Sequence, residues 1–372
     1  MSDYFGKETP KLGFGLMRLP HRGVAIDLEQ TKQMVDLFLD AGFTYFDTAY
    51  VYPGSETATK RALVSRYPRE RFTLATKLNA GIPGMTEKMA KKEFETSLER
   101  TGAGYFDYYL LHALMDNNYT KYDKFGIWDF AAEQKAKGLI RHVGFSFHGS
   151  PELLEKLLTE HPETEFVQLQ INYADWENKK VASRANYEIA RRHGKPIVIM
   201  EPVKGGKLAD PPKKVKELFS AYAPDRSFAS WAVRFAASLD GVITVLSGMS
   251  NVDQMKDNLS YMTDFTPLNE KEREIVREAQ RIMESSAAVP CTACRYCVEG
   301  CPQGIPIPEI FAAMNLQLAD GKLEEARTAY DAAVREGNTA ADCVACRKCE
   351  AVCPQKLKIT EYLRQGAEMF ES

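Results

Sequence analysis

FTLATK (Phe72–Lys77) and FDYYLLH (Phe106–His112) are two strand-like runs on either side of a helical pattern at Lys88–Arg100, and this unit decides the fold. Such runs recur along the chain, and several are nearly continuous in apolar residues, which is typical of parallel strands buried on both faces. A polar residue, Lys77 or His112, ends each of these two runs. The unit predicts an α/β domain in which parallel strands alternate with helices.

The same alternation continues through residue 260. The other strand candidates are Leu12–Met17, Tyr45–Thr48, His142–Ser146, Phe166–Ile171, Ile197–Glu201 and Val242–Ser247. Helical patterns lie at Leu28–Asp40 and Val181–Arg192, and a last helix is predicted at Asn269–Ser286. Eight strands alternating with helices over about 250 residues predict an α/β fold of the (β/α)8 TIM barrel type. A doubly wound open sheet alternates in the same way, but no G-x-G-x-x-G opens a helix here.

All eight cysteines lie in two copies of one motif. The copies are Cys291-x-x-Cys294-x-x-Cys297-x-x-x-Cys301-Pro302 and Cys343-x-x-Cys346-x-x-Cys349-x-x-x-Cys353-Pro354. This is the spacing of two-cluster bacterial ferredoxins, in which the cysteine before proline ligates the other [4Fe–4S] cluster. We therefore predict two clusters with crossed ligands: one held by Cys291, Cys294, Cys297 and Cys353, and one by Cys343, Cys346, Cys349 and Cys301.

Other uses of these cysteines fit the motif less well. A zinc site takes two C-x-x-C pairs and leaves no role for a third cysteine followed by Cys-Pro. A disulfide framework suits a small secreted domain, and the N-terminal sequence shows no secretory signal. The spacer at 309–334 has a helical pattern. We predict a small, mostly helical ferredoxin-like domain at 287–372, after a barrel at 1–286.

The composition bears on partners and location. A net charge of -3 gives no general attraction to nucleic acid or to an anionic membrane. No run approaches the eighteen consecutive apolar residues of a membrane span. We expect no nucleic-acid or membrane partner, and the oxygen-sensitive thiolates favour a reducing cytoplasm.

Four polar residues at or near predicted strand ends suggest acid–base chemistry, because barrel active sites form at the carboxyl ends of strands. They are Asp47, Tyr52, Lys77 and His112. A tyrosine titrates near pH 10, and a neighbouring ammonium lowers that pKa. We expect Lys77 to do this for Tyr52, Asp47 to hold Lys77, and His112 to orient a carbonyl oxygen. Singly, each residue is more often a packing or ion-pair residue.

The segments around these residues resemble the aldo-keto reductases. The similarity lies in Phe46–Ala49 with Tyr52, Thr76-Lys77 and Leu110–His112, and also in Leu12–Gly15, Gly144–His148 and Met200–Gly206. The whole chain resembles bacterial members fused to a C-terminal [4Fe–4S] module. The resemblance implies carbonyl reduction by hydride transfer from NADP or NAD, which binds extended without a Rossmann domain. It also implies that the four residues above form the catalytic tetrad.

The resemblance further implies cofactor contacts. Ser146 and Gln170 match residues that hold the nicotinamide carboxamide, and Glu201 falls where many relatives place a stacking tyrosine. Gly206, together with Gly205, either approaches the cofactor pyrophosphate or forms a plain turn. The remaining candidates match the region of the adenosine and its ribose phosphate: Ser247, Gly248, Ser250, Gln254 and Asn258. Because Gly248 and Gln254 stand where NADP-specific relatives present lysine and arginine, we expect no strong preference for NADPH.

Three functions remain open from the sequence. The first is a reductase acting on a small carbonyl or alcohol substrate and carrying two clusters. The second is an electron-transfer component whose clusters exchange electrons with a ferredoxin or flavoprotein partner. The third is a reductase whose clusters are purely structural. The loop aromatics Tyr122, Trp128, Tyr173 and Trp176 either line a substrate pocket or pack beneath loops.

Overall fold

The structure is a computed structural model that describes residues 2–5, 7–284, 289–335 and 337–371. It divides into two compact units. The first comprises Met1–Asn178, Ala182–Pro202 and Ala229–Lys271. The second comprises Lys179–Val181, Val203–Phe228 and Glu272–Ser372. Residues 203–228 thus belong to the same unit as the cysteines.

The strands of the first unit form one closed barrel and two short antiparallel pairs. The pairs are β1 (Ser2–Tyr4) with β2 (Lys7–Thr9), and β4 (His21–Arg22) with β5 (Ala25–Ile26). The barrel strands are β3 (Leu12–Gly15), β6 (Tyr45–Asp47), β7 (Thr73–Leu78), β8 (Phe106–Leu114), β9 (Ile140–Phe147), β10 (Phe166–Gln170), β11 (Ile197–Met200) and β12 (Val242–Ser247). All neighbours are parallel, and β12 pairs with β3. The predicted barrel is confirmed, and the open sheet is excluded.

Large apolar side chains fill one layer of the barrel. This core cluster contains Tyr45, Ala75, Tyr108, Leu110, Phe166, Val198, Ile243 and Leu246. Such a packed layer makes the barrel a solid core, so ligands bind above it at the carboxyl ends of the strands. Gly144 allows close packing of neighbouring strands, because a Cβ there would lie 2.4 Å from the carbonyl oxygen of Phe166.

Helices connect successive barrel strands. They are α1 (Leu28–Asp40), α2 (Ser55–Thr59), α3 (Glu87–Thr101), α4 (Thr120–Lys124), α5 (Ile127–Ala136), α6 (Pro151–Glu160), α7 (Ser183–Arg192), α8 (Lys213–Tyr222), α9 (Phe228–Ala237) and α10 (Val252–Met262). Local sequence starts several of them: Asp27, Thr86 and Ser150 each accept a backbone N–H at a helix N-terminus. Predicted and observed bounds therefore agree closely, and α1 agrees at both ends.

The second unit is helical. Its elements are α11 (Glu270–Glu284), which enters from the first unit, and α12 (Tyr296–Glu299), α13 (Ile307–Asp320), α14 (Leu323–Val334), α15 (Lys348–Ala351) and α16 (Ile359–Phe370). The stretch at 309–334, which has one continuous helical pattern, forms two helices because Gly321 ends α13 in the left-handed conformation. The predicted end of the last barrel helix and the domain boundary at 286/287 lie outside the described residues.

The second unit has its own apolar core, which includes Ile305, Ile310, Phe311, Met314 and Leu363. Cys297 and Cys349 belong to this core, and the other cysteines that pack against it are Cys291, Cys301, Cys343 and Cys353. No helix of the described chain is both long and apolar enough to cross a membrane.

Candidate functional site

Asp47, Lys77 and His112 project from neighbouring strands of the barrel. Asp47 ends β6, Lys77 is the penultimate residue of β7, and His112 lies near the end of β8. At most 4% of each residue is exposed. The Lys77 Nζ donates to Asp47 Oδ1 at 2.5 Å and to the Thr48 carbonyl oxygen at 2.7 Å. Sequential strands thus bring a buried ion pair beside a buried imidazole.

Tyr52 joins this group from the loop between β6 and α2. Its ring centroid lies 5.2 Å from the Lys77 Nζ. The His112 ring lies edge-on to it, with centroids 5.8 Å apart and an interplanar angle of 82°. The structure therefore brings together all four residues that the sequence analysis selected as an acid–base set.

Burial dominates the electrostatics of the group. It lowers the pKa of Lys77 and raises the pKa of Asp47, while the attraction between the two charges opposes both shifts. Burial, with the positive charge of Lys77, also holds the pKa of His112 well below its usual range. His112 is therefore neutral at physiological pH, and its Nδ1 has no hydrogen-bond partner among the described residues.

Gln168 is a site residue that the sequence analysis missed. Its Nε2 donates to Asp47 Oδ2 at 3.2 Å, so Asp47 is held from the side opposite Lys77. The available signal was its position in β10, where Gln168 and Gln170 alternate with apolar residues. Asn172 and Asp175 were also missed, and both are buried.

Ser146 and Gln170, the predicted carboxamide residues, take part in buried hydrogen bonds. Ser146 Oγ accepts the N–H of Ala113 at 2.7 Å, at a residue with φ of 56° directly after His112. Gln170 Nε2 donates to Asp175 Oδ2 at 3.3 Å. Gln170 Oε1 is buried without a partner in the part of the chain that the structure describes. A buried acceptor of this kind fits the amide of a nicotinamide ring.

Glu201 and Gly206, two further cofactor candidates, lie in different units. Glu201, which follows β11, has φ of 58°, and its Oε1 lies 3.6 Å from Arg18 Nη2. Asn172 Nδ2 donates to the Glu201 carbonyl oxygen at 3.2 Å. Gly206 belongs to the second unit and donates its N–H to the Val203 carbonyl oxygen. The cofactor roles of both residues stay predictions.

The five adenosine-side candidates lie around the end of β12 and the start of α10. Gln254 Oε1 accepts the N–H of Ser250 at 2.7 Å, and Asn258 Nδ2 donates to the Gln254 carbonyl oxygen at 3.0 Å. Asn258 Oδ1 is buried and lacks a partner among the residues described. Ser247 is buried, whereas Gly248 is exposed. A helix N-terminus with a nearby unpartnered amide oxygen fits a nucleotide, whose phosphate and amino groups need those donors and acceptors.

The loop aromatics are mostly packing residues. Tyr122 and Tyr173 are fully buried, and 9% of Trp128 is exposed. Trp128 stacks on His161 at a centroid distance of 3.9 Å, and Trp176 contacts Tyr187 and Phe235. These contacts favour packing beneath loops over lining a substrate pocket.

The cysteines fall into two groups that line two cavities of the second unit. The first cavity is lined by Cys291, Cys294, Cys297 and Cys353. The second is lined by Cys301, Cys343, Cys346 and Cys349. Each cavity combines three cysteines of one motif with the last cysteine of the other.

The backbone around the two cavities also repeats. Ala293 and Arg295 have φ of 52° and 67°, and their counterparts Ala345 and Arg347 have φ of 51° and 57°. Non-glycine residues rarely adopt this conformation, and it persists where the surroundings require it. Left-handed residues of this kind turn backbone N–H groups into anion-binding concavities, which suit an anionic iron–sulfur cluster.

The free thiols are held together at an electrostatic cost. Burial raises the pKa of Cys297 to about 12 and that of Cys349 to about 11; neighbouring cysteines add to the first shift, and Glu350 and then Cys343 add to the second. Cys353 is among the neighbours that act on Cys297. Among the described residues, no three His, Cys, Asp or Glu side chains converge on a single metal ion. In a [4Fe–4S] cube each thiolate is bound to a different iron atom, which compensates its charge.

Comparison with known proteins agrees with this division of the chain. The model of the aldo/keto reductase family matches residues 11–281. The model of the 4Fe-4S dicluster domain matches residues 290–358. An aldo-keto reductase of Mycobacterium avium is 28% identical over 263 residues, which cover 70% of this chain and 82% of that protein. One of Mycolicibacterium smegmatis is 34% identical over 156 residues, so the chain spans 52% of that relative's length.

Solved structures share the barrel. The holo form of an aldo-keto reductase from Bacillus halodurans is 25% identical, with a TM-score of 0.59, and the match covers 74% of this chain and 93% of that one. A Klebsiella pneumoniae aldo/keto reductase in complex with NADP and acetate is 21% identical, with a TM-score of 0.56. That match covers 73% of this chain and 92% of the Klebsiella chain. Because the family model matches most of the chain and that segment forms a closed (β/α)8 barrel, the chain belongs to the aldo/keto reductase family of oxidoreductases and carries a C-terminal 4Fe-4S dicluster domain.

Proposed function

We propose that this protein reduces an aldehyde or ketone to an alcohol, or catalyses the reverse reaction, with Tyr52 as the general acid. The observation that carries the proposal is the buried Lys77–Asp47 pair directly beside the Tyr52 ring and the neutral His112. The nicotinamide cofactor, when bound, supplies the hydride. Every other requirement of the reaction falls to side chains of the barrel.

Each of the four residues has a distinct task. Tyr52 donates its phenolic proton to the carbonyl oxygen of the substrate. Lys77 stabilises the phenolate that remains, because its ammonium lies against the ring. Asp47 keeps Lys77 charged and in place, and Gln168 orients Asp47. His112, neutral through burial, hydrogen-bonds the carbonyl oxygen and holds it towards Tyr52.

We further propose NADP or NAD as the cofactor, without a strong preference for NADPH. The Klebsiella pneumoniae relative was solved with NADP. In this chain, however, Gly248 and Gln254 stand where the adenosine phosphate would need a cation, and the Gln254 side-chain oxygen Oε1 already accepts the N–H of Ser250. An arginine is the usual partner of a phosphate dianion. A kinetic preference for NADPH above about a hundredfold, equivalent to roughly 2.7 kcal/mol, contradicts this proposal.

The second unit, we propose, holds two [4Fe–4S] clusters with crossed ligands. The support is the lining of the two cavities, each of which combines three cysteines of one motif with one of the other. When present, the clusters supply one-electron transfer. Electron exchange with a ferredoxin or flavoprotein is the second function, favoured by the exposed positions of Cys346 and Val344.

The reductase proposal is tested by anaerobic oxidation of NADPH and NADH with a panel of aldehydes and ketones. The Tyr52→Phe variant loses the proton donor but keeps the ring, so we expect turnover to fall by about 10²–10⁴-fold. Tyr50→Phe is the matched control, because the Tyr50 ring contacts Arg100 rather than Lys77. Unchanged turnover in Tyr52→Phe would falsify the assigned role.

A further inference from the structure

The loop after β11 packs on the first cysteine motif. Lys204–Gly206 forms a short 3-10 turn in the second unit, where Gly205 has φ of +66°. A Cβ on Gly205 would lie only 2.3 Å from the Thr292 carbonyl oxygen. Thr292 lies between Cys291 and Cys294, so this loop is in direct contact with the backbone that surrounds the first cavity.

Two lysines of this loop reach the surroundings of the same cavity. Lys204 is 4% exposed, and its Nζ donates to Gln355 Oε1 at 3.3 Å. Lys207, which is half-buried, donates to the Val289 carbonyl oxygen at 2.8 Å. Val289 lies two residues before Cys291, and burial lowers the pKa of Lys207 to about 8 while the charge of Cys291 opposes that shift. Two cationic groups are therefore held close to the first cysteine group.

Gln355 connects Lys204 to the cavity. It is buried and lines the first cavity two residues after Cys353. Its Oε1 is used by Lys204, and its Nε2 has no hydrogen-bond partner in the described parts of the chain. Lys204 therefore fixes the amide in one orientation and leaves its N–H donors available. Hydrogen bonds to cluster sulfurs are one of the recognised determinants of reduction potential.

The second cavity is an internal comparison, because each position of the first motif recurs 52 residues later. Arg295 and Arg347 occupy equivalent positions and line their respective cavities, and Arg295 pairs with Glu309. Gln303, the counterpart of Gln355, is only half-buried. Glu350 directly follows Cys349 of the second group, whereas its counterpart in the first motif is Val298.

From this asymmetry we infer that Lys204 and Lys207 raise the reduction potential of the cluster on Cys291, Cys294, Cys297 and Cys353 above that of the other cluster. The inference rests on the proposed presence of two clusters. Reduction adds one negative charge to a cluster, and nearby buried cations stabilise the reduced form more than the oxidised form.

Exposure to water raises the reduction potential of the second cluster and so opposes the effect of the lysines. Cys346 is exposed, whereas its counterpart Cys294 is half-buried, and water also stabilises the more highly charged reduced form. Lys204 is buried and Lys207 is half-buried, so their charges are less screened by solvent and salt than exposed charges, and they outweigh this effect. The residues around the first cysteine group would therefore favour the reduced form of a cluster bound there, and the exposed Cys346 would leave a cluster in the second group accessible to a ferredoxin-type donor.

The test is an anaerobic potentiometric titration of the full chain followed by electron paramagnetic resonance. Wild-type protein is expected to show two one-electron waves. The neutral double variant Lys204→Met/Lys207→Gln is expected to move the higher wave alone, so that the ratio of reduced to oxidised cluster at fixed potential falls about tenfold, or about 59 mV. Glu350→Gln is expected to raise the lower wave alone.

Lys213→Met is the matched control, because Lys213 belongs to the same unit but its side chain is 87% exposed. If the double variant binds less iron than wild type, the single variant Lys207→Gln gives the same readout, because glutamine can still donate to the Val289 carbonyl oxygen. The inference is overturned if neither wave moves, or if the lysine and Glu350 variants move the same wave. Iron content and carbonyl turnover of wild type separately report on the proposed function.

Discussion

Gln168 Nε2 donates to Asp47 Oδ2 at 3.2 Å, while Lys77 Nζ donates to Asp47 Oδ1 at 2.5 Å, so one carboxylate is held between two strands of the barrel. Gln168 lies on β10 and Lys77 on β7. A buried carboxylate is stable only when its oxygens are compensated. The ammonium that faces Tyr52 is thus positioned by a residue from the other side of the barrel.

The Gln168→Leu variant is expected to lose the orientation of Asp47. One hydrogen bond to a charged group disappears, so the free energy of unfolding falls by about 1.5–3 kcal/mol. Carbonyl turnover falls as well, because Lys77 is no longer held at a single position. Paired denaturation curves and steady-state kinetics check this. A variant with wild-type turnover would show that Lys77 alone positions Asp47.

The Lys77→Met variant leaves Asp47 as an unpaired buried charge. We expect a loss of about 3–5 kcal/mol of stability, because breaking a buried pair from one side is costly. The double variant Asp47→Asn/Lys77→Met removes both charges and recovers much of that stability, but neither variant recovers turnover. Thermal melting and kinetics on the same samples separate the two effects. Recovered turnover in the double variant contradicts the role of Lys77 at Tyr52.

Substitution of Gly205 by alanine is expected to disturb the first cluster site. The new Cβ would clash with the Thr292 carbonyl oxygen, and overpacking of this kind costs about 1–3 kcal/mol. Gly206→Ala is the matched control, because Gly206 also has positive φ but nothing lies within 4 Å of its added Cβ. Melting temperature and iron content should fall further in the first variant. Equal losses would mean that backbone strain, not the contact, matters.

Crossed ligation predicts which single cysteine-to-serine variants have the same electron paramagnetic resonance spectrum. Cys353→Ser and Cys294→Ser should both disturb the first cluster and leave the same residual resonance spectrum. Cys301→Ser and Cys346→Ser should both leave the other spectrum. These groupings follow from the two cavity linings. If Cys353→Ser instead resembles Cys346→Ser, each motif holds its own cluster and the crossed arrangement is wrong.

Glu93 gives the stability a specific pH dependence. Burial raises the pKa of this carboxyl group on α3 to about 8, although the Asn79 N–H opposes the shift. The folded protein therefore keeps a proton that the unfolded chain releases above its ordinary pKa of 4.5. The stability contributed by Glu93 is fully present below pH 4.5 and is lost as the pH rises to about 8.

The Glu93→Gln substitution should remove this decrease of stability with rising pH. Its free energy of unfolding is expected to fall less than that of wild type between pH 5 and pH 8, a difference on the order of a few kcal/mol. Glu95→Gln on the same helix, where the side chain is exposed, is the control and should retain the wild-type slope. Denaturant titrations across this pH range provide the measurement. Parallel curves for wild type and Glu93→Gln contradict the raised pKa.

The repeated patterns of the chain predict its architecture because they are local. Strand runs such as Phe106–His112 and caps such as Asp27 act through neighbouring residues, so period and spacing are enough to predict the barrel and α1. Cysteine spacing likewise selects an iron–sulfur module. The break of the predicted 309–334 helix at Gly321 was predictable in principle, since glycine is the usual helix C-terminal residue.

Strand ends indicated Asp47, Lys77 and His112, because the carboxyl ends of parallel strands converge in a barrel. Gln168 was not predicted, because its role depends on a contact across the barrel with a residue 121 positions away. Lys204 was not predicted for the same reason, since its partner Gln355 lies 151 positions along the chain. By itself, then, the sequence determined the barrel and the two cysteine motifs, and it selected the four residues that we propose for acid–base chemistry. Only the tertiary structure decided that the loop after β11 belongs to the cysteine unit, because contacts between distant segments form only when the chain folds.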